Sequence, residues 1–241
     1  MKNLPKQISA GESFGSSVHN TLNKWSQQIE LPLVAAQKSQ EQLQMFESGE
    51  DANCQLPTAE NLIEIWHSSF IVEGYETRLE ADFARKRGEQ LLTHFFEWWQ
   101  REPRTVLAVE KGFSVNIGSE TISGRIDRIE RSADGCIRII DYKTSAPRTQ
   151  EEVDADLQLS MYALAASEIF DEPCRELVLL FLREEGVTER ETERNEGQLA
   201  DAAKQLHFLF ERIERKEYDP TPSKEKCRFC PYKGVCDVAA K

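Results

Sequence analysis

Long apolar runs are missing from this sequence of 241 residues, and so is any basic excess: 30 Lys and Arg stand against 42 Asp and Glu, a formal net charge of −12. The first absence excludes a membrane-spanning helix, which needs about 20 consecutive apolar residues. The second excludes a grip on nucleic acid by bulk electrostatics, though not one made through bound cations and a local basic patch. Residues 1–10 lack the apolar core and cleavage site of a secretory signal. The expectation is therefore a cytoplasmic protein, and with 39% hydrophobic and 30% charged residues a globular one, long enough for one core with a helical subdomain.

Six cysteines are present, and three of them, Cys227, Cys230 and Cys236, crowd into ten residues. In a cytosolic chain such crowding points to a shared ion or cluster before a disulfide framework. Thiolates at this spacing suit zinc or iron–sulfur. Zinc ribbons show two Cys-x2-Cys pairs, and only one is present.

No internal repeat or low-complexity tract interrupts the chain. Residues 15–101 read as helices, with Leu62, Ile63, Ile65, Trp66 and Phe70 at helical spacing, then Phe83, Leu91, Leu92, Phe95, Phe96 and Trp99. Pro57-Thr58 and Pro103 mark boundaries. From Thr105 the texture turns to short β-branched runs at 105–109, 113–117, 121–130 and 136–142, punctuated by Gly118 and Asp134-Gly135. A helix follows at 151–170, a buried strand at 177–183, an edge strand at 186–194 and a helix at 197–216. The order is helices, a three-strand meander, helix, strand, strand, helix. It predicts an α/β core with a helical N-terminal elaboration, divided as 1–104, 105–218 and a cysteine-bearing tail, 219–241.

The chemistry concentrates in GRIDRIERSADGCIRIIDYKT, residues 124–144. A three-residue loop centred on Asp134 pairs Asp127 directly with Asp141, where like charges about 5 Å apart are destabilising unless a cation sits between them. Hard carboxylate oxygens suit Mg²⁺ or Mn²⁺. Lys143 projects from the same face as Asp141 and can stabilise charge developing on a phosphate. Together these are parts for metal-assisted phosphodiester hydrolysis. A two-residue turn instead sets Asp141 opposite Arg128 as an ordinary ion pair, and a one-residue slip exchanges the faces, so both registers stay open.

GRIDRIE, IIDYKT and the helix DLQLSMYALA, with Gln158 and Tyr162, resemble the PD-(D/E)XK nuclease superfamily. Within it they are most similar to the branch of RecB, AddB and CRISPR-associated exonuclease domains, over residues 14–236. The resemblance implies a restriction-endonuclease-like mixed sheet flanked by helices, with a helical N-terminal insertion. It makes Asp127 and Asp141 metal-binding acids and Lys143 the catalytic lysine. FGSSVHNTL, residues 14–22, resembles the family's N-terminal motif and makes His19 a further metal ligand. His67, His94 and His207 have no such context. Glu110 falls where family members carry an acid, and is either a metal-site group or a solvated strand-end acid. Gln158 and Tyr162 share a helix face; they either contact DNA and orient the lysine or, for Tyr162, simply pack.

By the same resemblance Cys227, Cys230 and Cys236 belong to a [4Fe–4S] cluster whose fourth cysteine lies far upstream. Here the sequence departs from the pattern. Residues 1–13 hold no cysteine, and Cys54, Cys136 and Cys174 are the remaining candidates. The expectation is a cluster completed in a longer chain. Function is then expected to be metal-dependent DNA cleavage, on single-stranded ends, in recombination or repair beside a helicase. Its rivals are a catalytically weak DNA-binding or docking module and a structural zinc protein.

Overall fold

The structure, a computed structural model, describes residues 8–32, 57–102, 105–132, 134–170, 174–228, 230 and 232–240. Pro103 and Cys54 lie outside them. Helix α1 (Ala10–Trp25) starts at Ser9, which forms a reciprocal capping box with Glu12, and runs on through a π-helical turn, Ser26–Glu30. Its buried positions Phe14, Val18, Leu22 and Trp25 recur every three or four residues, the spacing of one helix face. Helices α2 (Ala59–Ser69) and α3 (Arg78–Trp99) are capped by Thr58 and Thr77, so the Pro57-Thr58 boundary falls where the sequence marked it.

Five strands follow the helices: β1 (Thr105–Ile117), β2 (Glu120–Arg131), β3 (Ile137–Lys143), β4 (Cys174–Arg183) and β5 (Gly186–Thr192). They form one sheet in chain order. All neighbours are antiparallel except β3 and β4, because helices α4 (Gln150–Asp154) and α5 (Leu157–Phe170) carry the chain back between them. The mixed sheet flanked by helices is the restriction-endonuclease-like arrangement. Helix α6 (Glu196–Glu214) and the short α7 (Lys224–Arg228) complete the order. No helix among the described residues is long and apolar enough to cross a membrane.

Two segments differ from the sequence reading. The runs 105–109 and 113–117 are one strand, β1, interrupted conformationally at Glu110, whose φ is 48°. The helix read over 151–170 is two, because Asp156 turns its carboxylate onto the Leu159 N–H (3.0 Å) and caps α5.

Each sheet face has its own core. Ile129, Ile139, Leu177, Leu179 and Phe181 meet α5 and α6 on one side. Ile140, Tyr142, Val178, Leu180 and Leu182 meet α1, α2 and α3 on the other. On that second side Trp66 is fully buried and donates its indole N–H to Arg85 O at 3.0 Å. An added Cβ at Gly88 would stand 2.0 Å from its ring. Gly88→Ala gains about 1 kcal/mol of helix propensity but overpacks an anchored indole, which costs about 1–3 kcal/mol. Thermal denaturation should show a lower midpoint; a higher one would mean the ring moves aside freely.

Candidate active site

The β2–β3 ladder pairs Arg128 with Ile140, Ile129 with Ile139, Glu130 with Arg138 and Arg131 with Ile137. Ser132 N–H then bonds Cys136 O at 3.0 Å across the loop. This is the register of the three-residue loop, and continued one step further it sets Asp127 across from Asp141. The alternative pairing of Asp141 with Arg128 is not formed, and Arg128 faces the other core.

Beyond Arg128 and Ile140 the ladder gives way. Tyr142 N–H donates instead to the Asp127 carboxylate, at 2.9 Å. On the other flank, Glu110 falls between the pairs Val109–Arg128 and Lys111–Ile126, opposite Asp127, with a left-handed backbone that costs a non-glycine residue free energy. Strand alternation shifts here: Ile126 and Ile129, three apart, lie in the same core. The irregularity brings Glu110 and Asp127 together.

His19 reaches the same place from α1. Its Nε2 lies 3.0 Å from Tyr142 O, and since a carbonyl only accepts, Nε2 carries the proton. The other nitrogen, Nδ1, then faces Asp127 Oδ1 at 3.3 Å. One ligand atom each from His19, Glu110 and Asp127 lies within 4.8 Å of the others. Among the described residues this is the only such trio of imidazole, thiolate or carboxylate groups. Burial disfavours the His19 imidazolium, yet Asp127, with help from Asp141 and Glu110, outweighs it and raises the His19 pKa. The pocket therefore has a net pull on positive charge.

Asp141 stands beside this trio. Its Oδ2 lies 2.6 Å from Lys143 Nζ, an ion pair that is off the direction of a good hydrogen bond. Its Oδ1 accepts from Tyr162 OH at 2.9 Å. Lys143 also donates to Gln158 Oε1 (3.0 Å), and Gln158 Nε2 to Tyr162 OH (2.7 Å). Lys143, Asp141, Tyr162 and Gln158 thus close a ring in which each holds the next. Burial, then the charge of Asp127, raises the Asp141 pKa, against Lys143 and Tyr162. The Tyr162 hydroxyl is held far above its ordinary pKa by burial and by Asp141, so it stays a donor.

His19, Glu110, Asp127, Asp141, Lys143, Gln158 and Tyr162, spread over 144 residues of sequence, therefore share one location. Of the two alternatives read for Glu110, the structure places it with His19 and Asp127, while Asp141, read as a metal-binding acid, is outside that trio and engaged by Lys143. His67 and His207 sit beside Glu89 and Glu211 on helices, away from this group. The sequence reading missed Glu30 and Ser26, which hold Arg128, and Trp99, which donates to Glu30. Their contacts span up to 102 positions, and no local pattern announces them.

The tail cysteines are free, with Cys227 buried and its sulfur accepting from Ala240 N–H at 3.3 Å. Cys136 and Cys174, the other candidates for a cluster ligand, are engaged locally. Cys136 donates to Asp134 in the hairpin loop, and Cys174 points at Ile137 O and Glu176 O. Asp134 raises the Cys136 thiol pKa, and burial pushes that of Cys174 up to about 12. Among the described residues no cysteine belongs to a group of three or more ligand atoms close enough to share an ion.

A mixed sheet with acids and a lysine gathered where two strands part defines a restriction-endonuclease-like nuclease fold. The chain belongs to the PD-(D/E)XK nuclease superfamily, whose family profile matches residues 2–237; its members are metal-dependent phosphodiesterases that generally use Mg²⁺ or Mn²⁺. Gene 69 protein of Mycobacterium phage L5 is 25% identical over 135 residues, 54% of this chain and 44% of that protein; the match thus spans under half the relative's length. Among solved structures, SSO0001 aligns over 89% of this chain and 100% of its own, with 15% identity and a TM-score of 0.38. A Eubacterium rectale protein provisionally described as an exonuclease aligns over 83% and 80%, with 12% identity and a TM-score of 0.41.

Tyr162→Phe should expose how tightly the ring is made. It strips a buried carboxylate of a donor and Gln158 of an acceptor, worth about 1–3 kcal/mol. Urea unfolding of the metal-free protein should show that loss; unchanged stability would mean Tyr162 merely packs.

Proposed function

We propose that the chain is a divalent-metal-dependent DNA nuclease with Asp127, Asp141 and Lys143 as its catalytic residues. The observation that carries this reading is the donor trio of His19, Glu110 and Asp127 beside the Asp141–Lys143 pair. Two carboxylates and an imidazole converging on one place are a ligand set for Mg²⁺ or Mn²⁺ once Nδ1 carries no proton, with the imidazole favouring the softer Mn²⁺. When bound, the cation supplies Lewis acidity toward the scissile phosphate and toward the attacking water.

The protein's own groups do the remaining work. Tyr142 O holds His19 with its Nδ1 lone pair toward Asp127, fixing the tautomer that a ligand needs. Asp141 and Gln158 hold the Lys143 ammonium in one place, where it can meet charge developing on the phosphate oxygens. Tyr162 keeps Asp141 aligned. Without a cation the three carboxylates would repel a phosphodiester, so metal and DNA should bind cooperatively.

The finer reading follows the resemblance of GRIDRIE, IIDYKT and DLQLSMYALA to the RecB and AddB branch. It makes the substrate single-stranded DNA ends and the setting recombination or repair beside a helicase. Cys227, Cys230 and Cys236 would be three ligands of a [4Fe–4S] cluster. The described residues offer no fitting fourth, and no catalytic step involves that cluster.

Cleavage of end-labelled single-stranded and duplex oligonucleotides, with Mg²⁺ or Mn²⁺ titrated into chelator-treated protein, tests the assignment. Activity should require the cation and favour the single strand. Asp127→Ala, Asp141→Ala and Lys143→Ala should each lower kcat/KM about 100-fold or more. Undiminished cleavage by Asp141→Ala would remove the mechanism.

A further inference from the structure

Directly after Asp127 on β2 comes Arg128, which faces the α1 side of the sheet and is 0% exposed. It is gripped on every accessible edge. Nη1 and Nη2 donate to the two oxygens of Glu30 at 2.6 and 2.7 Å, Nη1 also to Ser26 Oγ at 3.1 Å, and Nε to Glu130 at 2.6 Å. Glu30 in turn accepts from Trp99 Nε1 at 2.6 Å and from Ser26 Oγ. Burial opposes the charge on Glu30, but Arg128 outweighs it and lowers the Glu30 pKa. The pair is therefore ionised inside an aromatic core containing Trp25, Phe95 and Phe96.

Buried ion pairs of this kind are poor sources of stability, because desolvation consumes most of the attraction and apolar side chains of similar volume do as well or better. What they supply is direction. Glu30 lies on the same continuous helix as His19, about three turns further along. The π-helical turn, where Leu31 N–H bonds Ser26 O, sets Ser26 and Glu30 together against Arg128; such turns shift the following residues around the helix axis and recur at functional sites. The helix thus meets β2 at two adjacent residues: His19 against Asp127 and Glu30 against Arg128.

Building on the metal-site reading above, we propose that Glu30 and Arg128 are positioning residues that clamp α1 to β2 so that His19 Nδ1 stands opposite Asp127 for the divalent cation. Neither touches the cation. Each fixes the helix whose placement decides whether the imidazole reaches it.

The experiment is a double-mutant cycle read by Mn²⁺ calorimetry without DNA, with thermal denaturation in chelator as the measure of folding. Glu30→Gln keeps the side chain's shape and removes its charge. It should weaken Mn²⁺ binding about tenfold, as loss of groups that orient metal ligands does, while still melting cooperatively. In a His19→Ala background the same change should cost less than twofold, since no imidazole remains to be placed. Should Glu30→Gln fail to melt cooperatively, Arg128→Lys, which keeps a buried cation but loses the two-pronged grip, is read in the same way. A lowered melting temperature with unchanged Mn²⁺ affinity, or fully additive losses with His19→Ala, would overturn the proposal. Wild-type protein that binds no Mn²⁺ would instead sink the metal-site reading, and the clamp's purpose with it.

Discussion

Carboxylates repel, and this fold gathers three of them. Glu110 and Asp127 offer oxygens within 4.8 Å of one another and of His19, and the charge of Asp127 helps to raise the Asp141 pKa. At such separations two anions in a half-buried setting repel by roughly 3 kcal/mol. The structure offsets this in three ways: Lys143 sits on Asp141, Arg125 pairs with Glu110 at 3.1 Å, and His19 is drawn toward its protonated form beside Asp127. A proton on Nδ1 and a divalent cation would occupy the same place. The repulsion is thus the source of affinity for a cation, and the sheet, the helices and their caps serve to keep it from relaxing.

Holding such a site takes an irregular sheet edge. Regular pairing would spend the Tyr142 N–H on a backbone carbonyl and leave Asp127 without it. Instead β2 and β3 part beyond Arg128 and Ile140, Asp127 takes the freed donor, and Glu110 adopts a left-handed backbone opposite. The two faces contribute differently. α5 supplies Gln158 and Tyr162 from one side, and α1 supplies His19 from the other. Lys143 and Asp141 are aligned from the α5 side, while Arg128 and Glu30 join α1 to β2 behind them.

Much of this was legible in sequence because it is local. Asp134-Gly135 with flanking β-branched runs specified the hairpin, and of the two registers it permitted the found one aligns Asp127 with Asp141. Gln158 and Tyr162, four apart, had to share a helix face. Element order, and with it the fold class, followed from the change of period at Thr105. What escaped was long-range or against the local rule. Nothing in GRIDRIE distinguishes Arg128, buried to 0%, from Arg125, whose side chain is 67% exposed on the other arm of the motif. Glu30 looks like any polar helix residue until Arg128 arrives from 98 positions away. Glu110 read as two equal alternatives because a left-handed backbone in a β-branched run contradicts the propensity that defines the run. The cysteine tail was conspicuous as composition, yet its three thiols acquire no fitting fourth among the described residues.

Anomalous diffraction from crystals soaked in Mn²⁺ tests the central claim most directly, since it locates the ion independently of turnover. The account predicts a peak within coordinating distance of His19 Nδ1 and the carboxylates of Glu110 and Asp127. A fully soaked crystal with no peak there, or with its strongest peak elsewhere in the molecule, would contradict it.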